Sequence, residues 1–91
     1  MSKNYEVSTN NLIFTGVGSI SSVILSASVS NSTVIVYDNI VGNTSSGGTI
    51  LVTVKAVANT SHTSYFGSKS FKIGVYAVVT GTGAKAYIDL K

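Results

Sequence analysis

The chain has 91 residues, 44% of them hydrophobic and only 10% charged, with a formal net charge of +3. That length fits one small domain and leaves no room for a second. The lack of cysteine excludes a disulfide scaffold and a thiolate zinc site, and high apolar content with little net charge excludes intrinsic disorder. Fifteen Ser, ten Thr, seven Asn and nine Gly make up most of the remainder, so the polar residues are small and nearly all neutral.

Residues 1–10 place Ser2, Lys3, Asn4, Glu6, Ser8, Thr9 and Asn10 around only Tyr5 and Val7. A run this polar buries too little to offset the ordering of its backbone. It predicts an N-terminal arm over 1–10, with Tyr5 as an anchor for a partner, ahead of a domain over 11–91. The first apolar cluster, Leu12-Ile13-Phe14, falls short of the ~7–15 apolar residues of a secretory signal. Nothing approaches the ~18 needed for a membrane span. Synthesis and folding in the cytoplasm of the producing cell, with no membrane partner, is the expectation.

From residue 11 the pattern is strand-like. Thirteen Val and eight Ile stand beside the ten Thr, and β-branched side chains suit a pleated sheet. A strand over 11–15 ends at Gly16-Val17-Gly18. Over 19–29, Val23, Leu25, Ala27 and Val29 fall on one face and Ser22, Ser26 and Ser28 on the other, with Ile24 the exception; this period of two marks one buried and one wet face. Asn31-Ser32 opens a run over 33–41, and the loop 42–48 contains three glycines. Over 50–57, Ile50, Val52, Val54 and Ala56 point inward and Leu51, Thr53 and Lys55 outward. Asn59-Thr60-Ser61 is a turn. Over 73–80, Ile73, Val75, Ala77 and Val79 share a face. Gly81-Thr82-Gly83 reads as a three-residue hairpin loop, and in the last strand Ala86, Ile88 and Leu90 oppose Lys85, Tyr87, Asp89 and Lys91. About seven or eight strands with a turn every ten residues or so predict an all-β, antiparallel sandwich or barrel.

Residues that could carry chemistry are few. Glu6, Asp38 and Asp89 are the acids, His62 is the single His, and Arg is absent. A Ser-His-Asp triad can be written on paper from His62 with Asp38 or Asp89, but no G-x-S-x-G nucleophile turn accompanies it. Asp38-Asn39 with the carbonyls of loop 42–48 offers oxygen ligands of the kind Ca²⁺ takes; an Asp followed by Asn at a strand end more often bonds backbone. Tyr65-Phe66-Gly67-Ser68-Lys69-Ser70-Phe71-Lys72 interleaves aromatics with lysines, as single-strand nucleic-acid binders do. The competing reading tucks Phe66 and Phe71 into the core, and nucleic-acid binding is not expected. No catalytic, cofactor or metal residues are assigned.

With so few charges and no Pro, the sheet edges lack their usual protection. Outward positions at Ile24, Leu51, Tyr76, Val78 and Tyr87 are apolar or aromatic. Together with Tyr5 they are the candidate interface, a surface on which a free monomer would associate.

Two segments carry a resemblance. Val34-Ile35-Val36-Tyr37-Asp38-Asn39, followed by a Gly-rich loop and Gly48-Thr49-Ile50-Leu51-Val52-Thr53-Val54, is one; Gly74-Val75-Tyr76-Ala77-Val78-Val79-Thr80-Gly81-Thr82-Gly83-Ala84 leading into Lys85-Ala86-Tyr87-Ile88 is the other. In this order they resemble small β-sandwich virion proteins of tailed bacteriophages, including capsid decoration (cement) proteins and head or tail accessory proteins. The resemblance covers roughly residues 20–90 and brings no catalytic residues. It implies a jelly-roll-like or immunoglobulin-like sandwich that assembles on a virion, with the major capsid protein or other virion proteins as partners. It also implies homo-oligomers, with a trimer suggested by three-fold capsid positions. The expected function is non-enzymatic decoration of the phage head. A tail, baseplate or fibre component is the alternative, and a carbohydrate- or nucleic-acid-binding module around 65–72 a more distant one.

Overall fold

The computed structural model describes residues 3–91, which form an all-β sandwich. In chain order the strands are β1 Lys3–Val7, β2 Asn10–Thr15, β3 Gly18–Ser26, β4 Ser32–Asp38, β5 Thr49–Ala56, β6 Ser61–Phe71, β7 Gly74–Thr80 and β8 Lys85–Leu90. A single 3-10 turn, Ser45–Gly47, lies in the β4–β5 loop among the described residues. The strands form two antiparallel sheets, ordered β1-β8-β3-β6 (the first sheet) and β2-β7-β4-β5 (the second).

The pairing follows a rule. β4 pairs with β5, β3 with β6, β2 with β7 and β1 with β8, as though one long hairpin had been rolled up. The β3–β8 and β4–β7 pairs then stitch the roll into sheets. Every connection between successive strands except β4–β5 crosses from one sheet to the other. This is the jelly roll, and of the two sandwich types named above it is the one present.

Alternation along the strands fills the space between the sheets. Val23, Leu25, Ala86, Ile88 and Leu90 point in from the first sheet, and Val34, Val36, Val54, Val75, Ala77 and Val79 from the second. Phe71 closes one end of this core, with Phe14 edge-on to it at 5.7 Å and 73°. A Cβ at Gly18 would stand 2.7 Å from the Phe71 ring, so that position takes no side chain.

Four expectations are corrected. Residues 3–7 are not an arm but β1, an edge strand in register with β8 from Lys3↔Leu90 to Val7↔Ala86. Backbone pairing and the burial of Val7 supply what the polar side chains lack; Met1 and Ser2 lie outside the described residues. The pairings of β3 shift between Ile20 and Ser22, so Ile20 and Val23 are both buried, and β3 ends at Ser26, leaving Val29 exposed rather than inward. A shift opposite Val36/Tyr37 makes Leu51 the extra residue of β5. Leu51 therefore packs on the core while Ile50 turns out to solvent, the reverse of the alternation in the sequence. Finally, Gly81-Thr82-Gly83 is no hairpin, because β7 and β8 belong to different sheets. Its glycines take φ of +116° and +72° in a crossover held by the Ala84 N–H on the Gly81 carbonyl (3.2 Å) and the Thr82 N–H on Ser30 Oγ (3.0 Å).

The assignment of faces has a direct check. Val75→Asp puts an unpaired charge into the sealed core and should abolish the folded state. Ser26→Asp, on the outer side of β3 opposite Lys85, should shift stability by only about 0.5 kcal/mol. Far-UV circular dichroism and urea unfolding of the two variants separate these outcomes. Removing residues 2–8 should also lower the urea midpoint, because it strips the ladder from β8 and uncovers the core beside Val7.

Candidate interaction surface

The outer side of the second sheet is built by the residues that alternate with its core positions. One row crosses all four strands as Leu12, Tyr76, Tyr37 and Ile50. The next runs Asn10, Val78, Ile35 and Thr53, and a third Thr80, Thr33 and Lys55. Lys55 is the single charged side chain among these rows. Ile50 is 51% exposed and Leu12 41%, while the central positions are half-buried. The β4–β5 loop contributes to the cover. A Cβ on Gly42 would stand 2.9 Å from the Tyr76 ring and 3.0 Å from a Val78 methyl. The loop therefore lies directly on β7 at Gly42, and the two residues before it, Ile40 and Val41, are exposed.

The outer side of the first sheet differs in chemistry. Its rows read Glu6, Tyr87, Ile24 and Thr63, then Asn4, Asp89, Ser22 and Tyr65, then Lys85, Ser26 and Ser61. Glu6 and Lys85 approach to 4.0 Å, and Ser21 Oγ donates to Asp89 at 3.4 Å.

The six interface candidates therefore do not form one patch. Tyr76 and Val78 lie on the second sheet, Ile24 and Tyr87 face each other across strands on the first, and Leu51 and Tyr5 pack against the core. Leu12, Ile35, Tyr37 and Ile50 were missed. The signal was present in Val34-Ile35-Val36-Tyr37, where an unbroken apolar run marks a strand covered on both sides.

Asp38 and Asn39 close the end of the sandwich where this face meets the loop. The Asp38 carboxylate accepts the backbone N–H groups of Lys72 (3.0 and 3.1 Å), Ile73 (2.8 Å) and Gly74 (3.2 Å), in the turn where the chain crosses from β6 to β7. Burial pushes its pKa up, but the bonds from Ile73, Lys72 and Gly74 and the Lys72 charge outweigh this and hold it below the ordinary 3.8. Buried Asn39 donates from Nδ2 to the carbonyls of Asn43 (2.9 Å) and Ser45 (2.8 Å), and its Oδ1 accepts the Ile40 N–H (2.8 Å). The calcium arrangement considered from sequence is thus replaced by one of amide donors: the Asp38 oxygens already receive N–H groups, and two loop carbonyls already receive the Asn39 amide.

The residues of the paper triad are apart. His62 sits opposite Leu25, on the core side of the edge strand β6 and at the far end from Asp38, whereas Asp89 lies on the outer side of the first sheet. In the 65–72 cluster, Phe71 is buried and Phe66 packs on the core, so Tyr65, 81% exposed, is the one ring presented to solvent. A cleft of about 190 Å³ opens at the Phe71 end, lined in part by Lys3, Tyr5, Phe14, Val17, Leu90 and Lys91. Among the described residues no group of three or more His, Cys, Asp or Glu is placed to hold a metal, and no helix is long and apolar enough to cross a membrane.

Compared with known proteins, the chain matches no family, no curated sequence and no solved structure.

Asp38→Asn keeps the shape but loses the charge and turns an NH₂ toward backbone donors. It should cost about 1.5–3 kcal/mol, the range for hydrogen bonds to a charged group. The native state holds the carboxylate below its ordinary pKa. Its contribution is therefore complete above about pH 4 and is lost as the pH falls through the native value. Urea unfolding of parent and variant at pH 7 and pH 2 should show a gap that narrows in acid.

Proposed function

We propose that the chain is a non-enzymatic structural protein of a bacteriophage particle, a capsid decoration protein that binds the assembled head and stabilises it. The carrying observation is the outer side of the second sheet, where large apolar side chains on all four strands stand beside a single charge. Such a surface is suited to being covered by protein in an assembly and poorly suited to facing water. The resemblance of residues 20–90 to small phage virion proteins supports the finer part of the reading. Jelly rolls serve in viral capsids and in lectins alike, so the fold leaves function open and the support for this reading comes from the surface chemistry and the resemblance.

The mechanism is physical. A standard interface takes ~800 Å² from each partner, a modest share of the 4871 Å² surface of this chain. Copies that bind only assembled capsid subunits shift the equilibrium toward the assembled shell by mass action. No cofactor enters this mechanism. The partners are the major capsid protein, other virion proteins and the chain's own copies, and the place of action is the virion after synthesis in the host cytoplasm.

Mass spectrometry of purified particles, with gold-labelled antibody in electron micrographs, tests this. The expected result is stoichiometric protein on the head. Label confined to the tail would replace decoration by the tail or fibre role, and absence from particles would overturn the virion reading. Particles lacking the protein should lose their DNA at lower temperature than complete ones.

A further inference from the structure

We propose that the outer side of the second sheet is covered by the same side of a second copy, giving a two-fold dimer stacked sheet on sheet. This rests on the reading of that side as an assembly surface and names its occupant.

Charge is the first argument. The three rows across β2, β7, β4 and β5 hold one charged residue, Lys55, on the edge strand in the row farthest from Leu12 and Ile50. A partner recognised by complementary charge would find nothing here to read. The matching surface must itself be apolar and neutral, and this chain presents one. Two copies can meet here without burying an ion provided that Lys55, exposed on the edge strand, stays at the rim of the contact. The Glu6, Lys85 and Asp89 side chains, on the opposite side of the molecule, stay in water.

Area is the second. The molecule measures 34 × 27 × 15 Å between Cα extremes, so each broad side has an outline near the ~800 Å² that a stable interface takes from each partner.

Symmetry and shape give the rest. A two-fold interface needs one self-complementary patch, whereas a ring of three needs two different patches that fit each other. The observed feature is a single patch. Its relief comes from the loop, which Gly42 seats on Tyr76 and Val78 of β7, whereas Thr53 and Ile50 on the edge strand β5 are exposed. Two-fold stacking sets the raised loop of each copy toward the exposed β5 edge of the other, with the sheets crossed at the small angle usual for stacked sheets.

Sedimentation equilibrium of the purified full chain tests the proposal. The expected species is twice the monomer mass at micromolar concentration. Ile50→Lys changes a half-exposed side chain, so the fold should survive, and should weaken the dimer by at least about 100-fold through an unpaired buried charge. Leu12→Lys, on the opposite edge of the sheet, is the second variant and should do the same. Tyr65→Lys also replaces an exposed large side chain by Lys, but on the first sheet, and should leave the dimer intact. Circular dichroism confirms the fold of each. A strict monomer for the parent, a trimer, or a dimer broken by Tyr65→Lys and not by Ile50→Lys or Leu12→Lys would each overturn the proposal. Presence on particles is read separately, so a monomer found on phage heads removes the dimer and leaves decoration standing. A dimer absent from particles does the reverse.

Discussion

The Asp38 carboxylate, seated on three consecutive backbone N–H groups, is the interaction on which the rest of the molecule depends. A jelly roll changes sheet at nearly every turn, and each crossing leaves backbone groups with no ladder partner. At the Phe71 end, the β6–β7 crossing is satisfied by a side chain from the end of β4. Gly74 has no room for a Cβ, which would stand 2.6 Å from the Phe14 carbonyl oxygen, so β2, β4 and β7 come together at this point. Asn39 then secures the β4–β5 loop from inside, against Gly48, where a Cβ would overlap its amide. The loop is held on β7, and the relief of the outer face follows from that. Two adjacent residues thus link the closure of the sandwich to the shape of its exposed side.

The rolled-hairpin pairing also ranks the strand pairs by their entropic demand. β4 and β5 meet across one loop, β3 and β6 across both of those strands, and β1 and β8 only after nearly the whole chain is in place. Loop-closure entropy rises slowly with length, but non-local pairs give nothing back until their ends meet. Burial alternates most regularly along β4 and β7, while β1 carries only Val7 fully into the core. Local pattern and topology therefore agree on a centre near β4–β5–β7 and a periphery at β1.

Much of this was legible in the residues, and the failures share a cause. Alternation placed Val75, Ala77, Val79, Ala86, Ile88 and Leu90 inward, as they are. It failed at Ile50 and Leu51, and around Ser21 and Ser22, where an extra residue shifts the pairing; a bulge is set by the partner strand and leaves no period of its own. The glycines of 81–83 announced a turn but not which strands it joins, because a sheet-to-sheet crossover uses the same positive φ as a hairpin. β1 was hidden because its stability lies in backbone bonds to β8, to which side-chain composition is blind. For the candidate surface, Tyr76 and Val78 were visible from their own strand, but their neighbours Leu12, Tyr37 and Ile50 belong to strands far away in sequence.

The contrast between the two outer sides bears most directly on what the protein does. Both are solvent-facing positions of antiparallel sheets with similar backbone demands, and on the first sheet Thr, Ser and charged residues share those positions with Tyr87, Ile24 and Tyr65. In the equivalent places on the second, Leu12 and Ile50 stand 41% and 51% exposed and Ile35 half-buried, so the fold of the single chain covers them only in part. Thr at any of them would keep the β propensity and lessen the tendency to associate. Their presence is a property of the surface and not of the core, and a chain with nine charged residues has few means of keeping such a surface in solution alone. The two outer sides therefore differ in how their apolar side chains are laid out: in rows that cross all four strands of the second sheet, and as Tyr87, Ile24 and Tyr65 among charged and hydroxyl groups on the first.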